Sequence, residues 1–198
     1  MPFTAEEIDA IAKELSVAHA AMVVVAAETG LRTNEWIGLE RGDVHRLGRA
    51  ALVVQRRAVR GVMTPYPKTD RSRRRVPLTT RALDGLGTLP PRIDTPLLFP
   101  APMGGYHHLD TWRSRTWYPA LKAAGVDRRG PYHLRHTFAT EALAAGVSIF
   151  ELSRLMGESV KEIDRTYGHL AHDSEEAILA RLEARSGRSG VAVVSEEA

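Results

Sequence analysis

The chain has 198 residues, 43% of them hydrophobic, and a formal net charge of +3, which suffices for one packed domain with a sizeable core. It contains no cysteine, excluding disulfides, thiolate metal sites and cysteine nucleophiles. No apolar stretch approaches the roughly 20 residues of a membrane span, and the opening MPFTAEEIDAIAKEL carries acids where a secretory leader carries bases, so a cytoplasmic protein with no membrane partner is expected.

The predicted elements begin with Thr4 and Glu7, a capping box ahead of a helix over about 5–16 with Ile8, Ile11 and Leu15 on one stripe. An alanine- and valine-rich helix over 18–28, largely buried, ends at Gly30, and a short helix opens at Thr33 and Asn34. ALVVQRRAV (51–59) has the branched residues of a strand, with RRRVPL (73–78) as its returning partner across a turn around TPYPKTD. Thr79 or Thr80 caps a further helix, and the proline-rich stretch 89–102 is a connector. Helices are then expected at 109–124, 132–145, 148–156, 160–165 and 173–186, followed by a flexible tail at 187–198. The fold class is mostly α with one small antiparallel β-sheet.

Charge is unevenly placed. Between Arg46 and Arg75 ten Lys or Arg stand against one acid, Asp70, whereas 171–198 holds six acids and three arginines. A local basic excess suits a phosphate-backbone partner. The same segment carries Lys68, one of four lysines in a chain with 23 arginines. Arginine would bind phosphate there at least as well, but only lysine can give up a proton near neutral pH. Arg32 follows Gly30 at a helix start, where free backbone N–H groups favour an anion, and Glu35 is placed to fix its guanidinium at i, i+3.

In PYHLRHTFATEALAAG, Tyr132 and Arg135 share a helical face, while His136 reads as a packed, hydrogen-bonded core histidine. Tyr167 stands between a short polar segment and Gly168, and its phenol becomes an oxygen nucleophile if a cationic pocket stabilises the phenolate. No HExxH, Walker A or GxSxG pattern supports other hydrolytic or nucleotide chemistry.

In order, TGLRTNEWIGL, YPKTDRSRRRVPL, YHLRHTFAT, and LMGES followed by TYGHL resemble the motif boxes of the tyrosine recombinase or phage integrase family, over roughly residues 4–186. The resemblance implies that family's catalytic-domain fold and a DNA strand transfer that needs no metal or cofactor. A tyrosine attacks the scissile phosphate, leaving a 3′-phosphotyrosyl link and a free 5′-hydroxyl. It implies that Arg32 and Arg135 clamp the non-bridging oxygens, Lys68 protonates the leaving oxygen and Tyr167 is the nucleophile. Arg56, Arg57, Arg71, Arg73, Arg74, His133 and His169 are the remaining candidates for contact with double-stranded DNA. Partner protomers are expected to assemble as a tetramer on DNA, and a separate upstream domain of the family is not expected within this chain.

Two positions depart from the family pattern. Histidine is usual three residues before the second arginine, where Tyr132 stands. Histidine or tryptophan is usual nine residues before the nucleophile, where Glu158 stands. Tyr132 can donate a hydrogen bond but is a poor base, and an ionised Glu158 would repel phosphate. A non-catalytic DNA-binding relative, a type IB topoisomerase and an RNA-binding helical domain are the competing readings.

Overall fold

The computed structural model describes residues 1–66, 73–170, 179–180 and 182–184. Lys68, Arg71 and the hairpin turn around them lie outside these residues, as do the tail and most of the helix expected at 173–186.

Helix α1 (Ala5–Lys13) starts at the expected capping box, with the Thr4 hydroxyl accepting from the Glu7 amide and the Glu7 carboxylate from the Thr4 amide. It buries Ile8 and Ile11 against α2 (Val17–Thr29), which is apolar around its whole circumference and lies at the centre of the core. Gly30 ends α2 at φ +61°, a left-handed position where a Cβ would meet the Phe138 ring at 2.3 Å. Arg32 then caps the single-turn α3 (Thr33–Trp36).

The β region corrects the sequence expectation in part. Strand β2 (Ala51–Val54) pairs antiparallel with β5 (Arg74–Pro77), in the register Leu52 to Val76, and β1 (Val44–His45) flanks β2. The expected long strand, however, divides at Gln55. Its second half, β3 (Arg56–Val59), turns back through Arg60 and Gly61 to pair with β4 (Val62–Pro65) in a separate hairpin. Arg60 and Gly61 have φ of 50° and 79°, the positive pair of a two-residue hairpin loop usually filled by Asn-Gly. Residues 64 and 65, expected in the turn, are therefore strand, together with 62 and 63.

Helix α4 (Thr80–Gly87) is capped by the Thr79 hydroxyl and packs on α2. The helix expected at 109–124 comprises α5 (Leu109–Trp112), a π-helical stretch (Arg113–Trp117) and α6 (Tyr118–Ala123). Its Trp112 and Trp117 stack at 5.7 Å, and Trp36 meets Trp112 edge-on at 5.5 Å. Helix α7 (His133–Ala144) gives Leu134 to this main core and Ala139 and Leu143 to a second cluster. The second cluster is completed by α8 (Ile149–Met156) and α9 (Val160–Tyr167), through Leu152, Met156, Ile163 and Tyr167. The functional groups gather along the seam that α7 makes between the two clusters.

Candidate active site

Helix α8 ends at Gly157, whose φ of +65° turns the chain away from the helix. That end leaves carbonyls with no intrahelical partner and a concentration of negative dipole. Three arginines from three distant segments occupy it. Arg74 Nε donates to Leu155 O at 2.6 Å, Arg135 Nη2 to Met156 O at 3.0 Å and Arg32 Nη2 to Gly157 O at 2.7 Å. Arg135 also donates through Nη1 to the carbonyl of Gly30, the residue that ends α2. Two helix-ending glycines thus position the two arginines, and a side chain at Gly157 would come within 2.8 Å of Arg74 Nη1.

A buried carboxylate locks this arrangement. Glu35, with no exposed side-chain surface, ion-pairs Arg32 Nη1 at 3.1 Å and Arg74 Nη2 at 2.8 Å, and accepts from the Arg32 amide and the Tyr66 hydroxyl. Burial by itself pushes its carboxyl upward. The hydrogen bond and charge of Arg74, with the Arg32 amide and charge, outweigh that and hold it below the usual carboxylate range. The i, i+3 contact of Glu35 with Arg32 follows the sequence expectation. The partnership with Arg74 and Tyr66 does not, because 39 and 31 residues separate them from Glu35 and no periodicity links them.

Glu158 follows Gly157 directly and turns its carboxylate back into the arginines. One oxygen, Oε1, lies 2.7 Å from Arg135 Nη2 and 3.3 Å from Arg32 Nη2. The two candidate phosphate-binding arginines therefore converge on one anionic oxygen, which their own chain supplies. Arg135 is 1% exposed, and its Nε is buried without a hydrogen-bond partner among the described residues. Glu158 is 21% exposed at its side chain and lines a hollow of about 450 Å³ with Arg73, Arg74, Arg154 and Phe150.

Tyr167 reaches the same region from α9. The Ser159 hydroxyl caps that helix, and Ile163 and Tyr167, one turn apart, form its buried stripe. The phenol oxygen lies 2.8 Å from His136 Nδ1. Burial pushes the Tyr167 pKa up to about 12; the charges of Tyr132 and Glu158 add to the rise, and Arg135 opposes it. Burial, with the charges of His133 and Arg135, lowers the His136 pKa and so favours the neutral imidazole. His136 is hydrogen-bonded as the sequence reading expects, but to the candidate nucleophile, a partner 31 residues away that the sequence does not reveal.

The other candidates divide by environment. Arg57 is exposed, with its guanidinium 5.8 Å from the Tyr66 ring centroid; Arg73 is half-buried beside the Glu158 hollow; and His169 is exposed on the turn after α9. Tyr132 is 43% exposed and meets the His136 ring at 5.1 Å. His133 is half-buried, with Nδ1 3.1 Å from Gly130 O. Arg56 and Arg74 make internal ion pairs. Arg56 ion-pairs Asp43 at 2.6 Å and Glu40 at 3.2 Å, and Arg74, 5% exposed, pairs with Glu35. Both guanidinium groups are taken up by internal carboxylates. Arg154, exposed at the rim of the hollow, has no distinguishing signal in the sequence because it looks like any helix-surface cation.

Among the described residues no group of three or more His, Cys, Asp or Glu could hold a metal, and no helix is long and apolar enough to cross a membrane.

Known proteins share both sequence and fold with this chain. The prophage phiRv2 integrase of Mycobacterium tuberculosis is 30% identical over 190 residues, 91% of this chain and 50% of that protein. An integrase/recombinase of Sinorhizobium fredii is 30% identical over 176 residues, 85% of this chain and 50% of that protein. The chain thus spans about half the length of these relatives. Among solved structures, the Tn1549 transposon integrase in complex with circular intermediate DNA superposes with a TM-score of 0.74 at 21% identity, over 92% of this chain and 67% of that one. The catalytic domain of bacteriophage HP1 integrase superposes with a TM-score of 0.60 at 20% identity, over 90% of this chain and 93% of that one. The model of the phage integrase family matches residues 2–174, and with that match this chain belongs to the phage integrase family.

Proposed function

We propose that the chain is the catalytic domain of a tyrosine-type site-specific recombinase, which cuts and rejoins double-stranded DNA through a phosphotyrosyl intermediate. The observation that carries the reading is the convergence of Arg32 and Arg135 on one carboxylate oxygen, at 3.3 and 2.7 Å, in the region that Tyr167 reaches. Two guanidinium groups held by helix-end carbonyls form a pre-oriented anion site. Such a site stabilises a crowded, charged phosphorane-like transition state without reorganising during the reaction. Relatives named as integrases, and structures such as that of XerH recombinase bound to difH substrate, agree with DNA as the partner.

In this reading the scissile phosphate takes the place of the Glu158 carboxylate. Arg32, Arg74 and Arg135 against Glu35 and Glu158 give a formal sum of +1, and exchanging the carboxylate for one phosphodiester charge keeps that sum. Because Glu158 is partly exposed, it can withdraw toward water as DNA arrives. Arg32 and Arg135 hold the non-bridging oxygens, Tyr132 donates to the phosphate, Tyr167 attacks phosphorus and Lys68 protonates the leaving 5′-oxygen. Arg57, Arg73, His133 and His169, with Arg71, flank the strand. Four protomers act together on two duplexes in the cytoplasm, and domain 1–186 carries the chemistry without a cofactor.

The test is incubation with a random-sequence library of nicked duplexes, followed by denaturing electrophoresis. A covalent protein–DNA adduct that vanishes in Tyr167→Phe is expected. No adduct across pH and salt, with DNA binding intact, would overturn catalysis and leave a DNA-binding domain.

A further inference from the structure

Family members place histidine where this chain has Tyr132 and histidine or tryptophan where it has Glu158; here Tyr132 is a poor base and the Glu158 carboxylate is ion-paired to Arg32 and Arg135. A phenol in a buried setting holds its proton tightly and is a poor nucleophile until that proton has somewhere to go. The one base in direct contact with it, among the described residues, is His136: Nδ1 lies 2.8 Å from the Tyr167 oxygen, with the ring centroids 5.7 Å apart. That distance meets the geometric requirement for general-base catalysis. We propose that His136 is a catalytic residue whose Nδ1 accepts the phenolic proton of Tyr167 as the tyrosine oxygen attacks the scissile phosphorus. This rests on the recombinase reading above and assigns a step which that reading leaves open.

The step balances. The Tyr167 O–H bond breaks, its proton passes to Nδ1 and its electron pair forms the O–P bond. The pair of the P–O5′ bond leaves on the 5′-oxygen, which takes a proton from Lys68. In rejoining, the 5′-hydroxyl returns its proton to Lys68 and the departing phenolate recovers its own from the imidazolium. The cleavage direction needs a neutral ring with its proton on Nε2. The groups facing that ring are Tyr132, His133 and Arg135 from α7, Glu158 from the chain before α9, Tyr167 from α9, His169 from the turn beyond and the Met1 amino group. The His133 and Arg135 charges and the amino group disfavour a second proton on His136, while Glu158 favours one. A cavity of about 290 Å³ that His136 shares with Tyr167, His169 and Thr140 leaves the ring room to follow a small movement of the phenol toward phosphorus.

The test uses the 198-residue chain and random-sequence duplexes carrying a 5′-bridging phosphorothiolate. The sulfur leaves without a proton, so adduct formation reads removal of the phenolic proton. His136→Asn and His136→Gln keep a neutral polar group but cannot take a proton. They are expected to slow adduct formation by about 100-fold or more. The rate should change from nearly flat across about pH 7–9 to a tenfold rise per pH unit, as hydroxide becomes the acceptor. A loss of rate with an unchanged pH profile, an unchanged rate or a faster one would each overturn the assignment. If the variants do not fold, as judged by circular dichroism, ¹⁵N NMR of histidine in the unaltered protein decides. An unprotonated Nδ1 whose signal moves in Tyr167→Phe supports the proposal, and a protonated Nδ1 ends it. An adduct that needs Tyr167 but is indifferent to His136 defeats this assignment alone, whereas no Tyr167-dependent adduct at any pH defeats the recombinase reading as well.

Discussion

Glu158 separates this site from its family pattern, and its contacts say what the change does. Its carboxylate sits where two arginines meet and competes with any incoming phosphate. Glu158→Gln removes the competing charge while keeping the shape. It is expected to tighten binding of inorganic phosphate by about tenfold, close to the effect of one well-placed charge, as read by histidine and arginine NMR shifts in a titration. Glu158→His should do the same and raise the rate of Tyr167 adduct formation. Glu35 behaves oppositely, because it supports the cations from behind. Glu35→Gln leaves Arg32 and Arg74 facing each other in a buried setting and should destabilise the fold by about 3–5 kcal/mol in urea unfolding. The sign of the pH effect follows from the depressed carboxyl. The stabilisation is complete above the ordinary value of 4.5 and is lost as pH falls through the lower folded-state value. Unfolding midpoints measured on acidification should therefore fall in the native protein, with the Glu35 share of that fall missing in the variant.

The C-terminus of α8 is the element on which the site is hung. Its last carbonyls receive Arg74, Arg135 and Arg32 in sequence order 155, 156, 157, so one helix end sets the spacing of three guanidinium groups. Gly157→Ala introduces a Cβ 2.8 Å from Arg74 Nη1 at a φ that L-residues rarely adopt. It should cost about 1 kcal/mol or more for the backbone alone and reduce DNA cleavage beyond what the stability loss explains, as seen by comparing urea unfolding with adduct yield. The helices themselves were legible, because Thr4 and Glu7, Gly30 and Gly157 mark their ends chemically. The strand division at Gln55 was not. Arg60–Gly61 is a weak hairpin signal beside Asn-Gly, and the Gln55 side chain is held by Asp43 at 2.6 Å, a contact no local pattern announces.

Across the molecule, the basic excess between Arg46 and Arg75 divides into structural and outward-facing charge. Arg57→Ala and Arg73→Ala should leave stability unchanged and lower the slope of log affinity against log salt by about 1 for each phosphate no longer neutralised, measured by fluorescence anisotropy with duplex DNA. Arg56→Ala and Arg74→Ala should instead appear in thermal unfolding, since each takes an ion-pair partner from a buried carboxylate. The sequence by itself determined the helical order and the family and singled out Arg32, Arg135 and Tyr167 as candidates, because caps, glycines and ordered motifs are local chemical signals. Only the tertiary structure decided that Arg56 and Arg74 turn inward, that Glu158 fills the anion position and that His136 meets Tyr167. Those facts depend on which distant segments the two hydrophobic clusters bring within hydrogen-bonding reach, and a residue's partner across 31 or 126 positions leaves no trace in its neighbours along the chain.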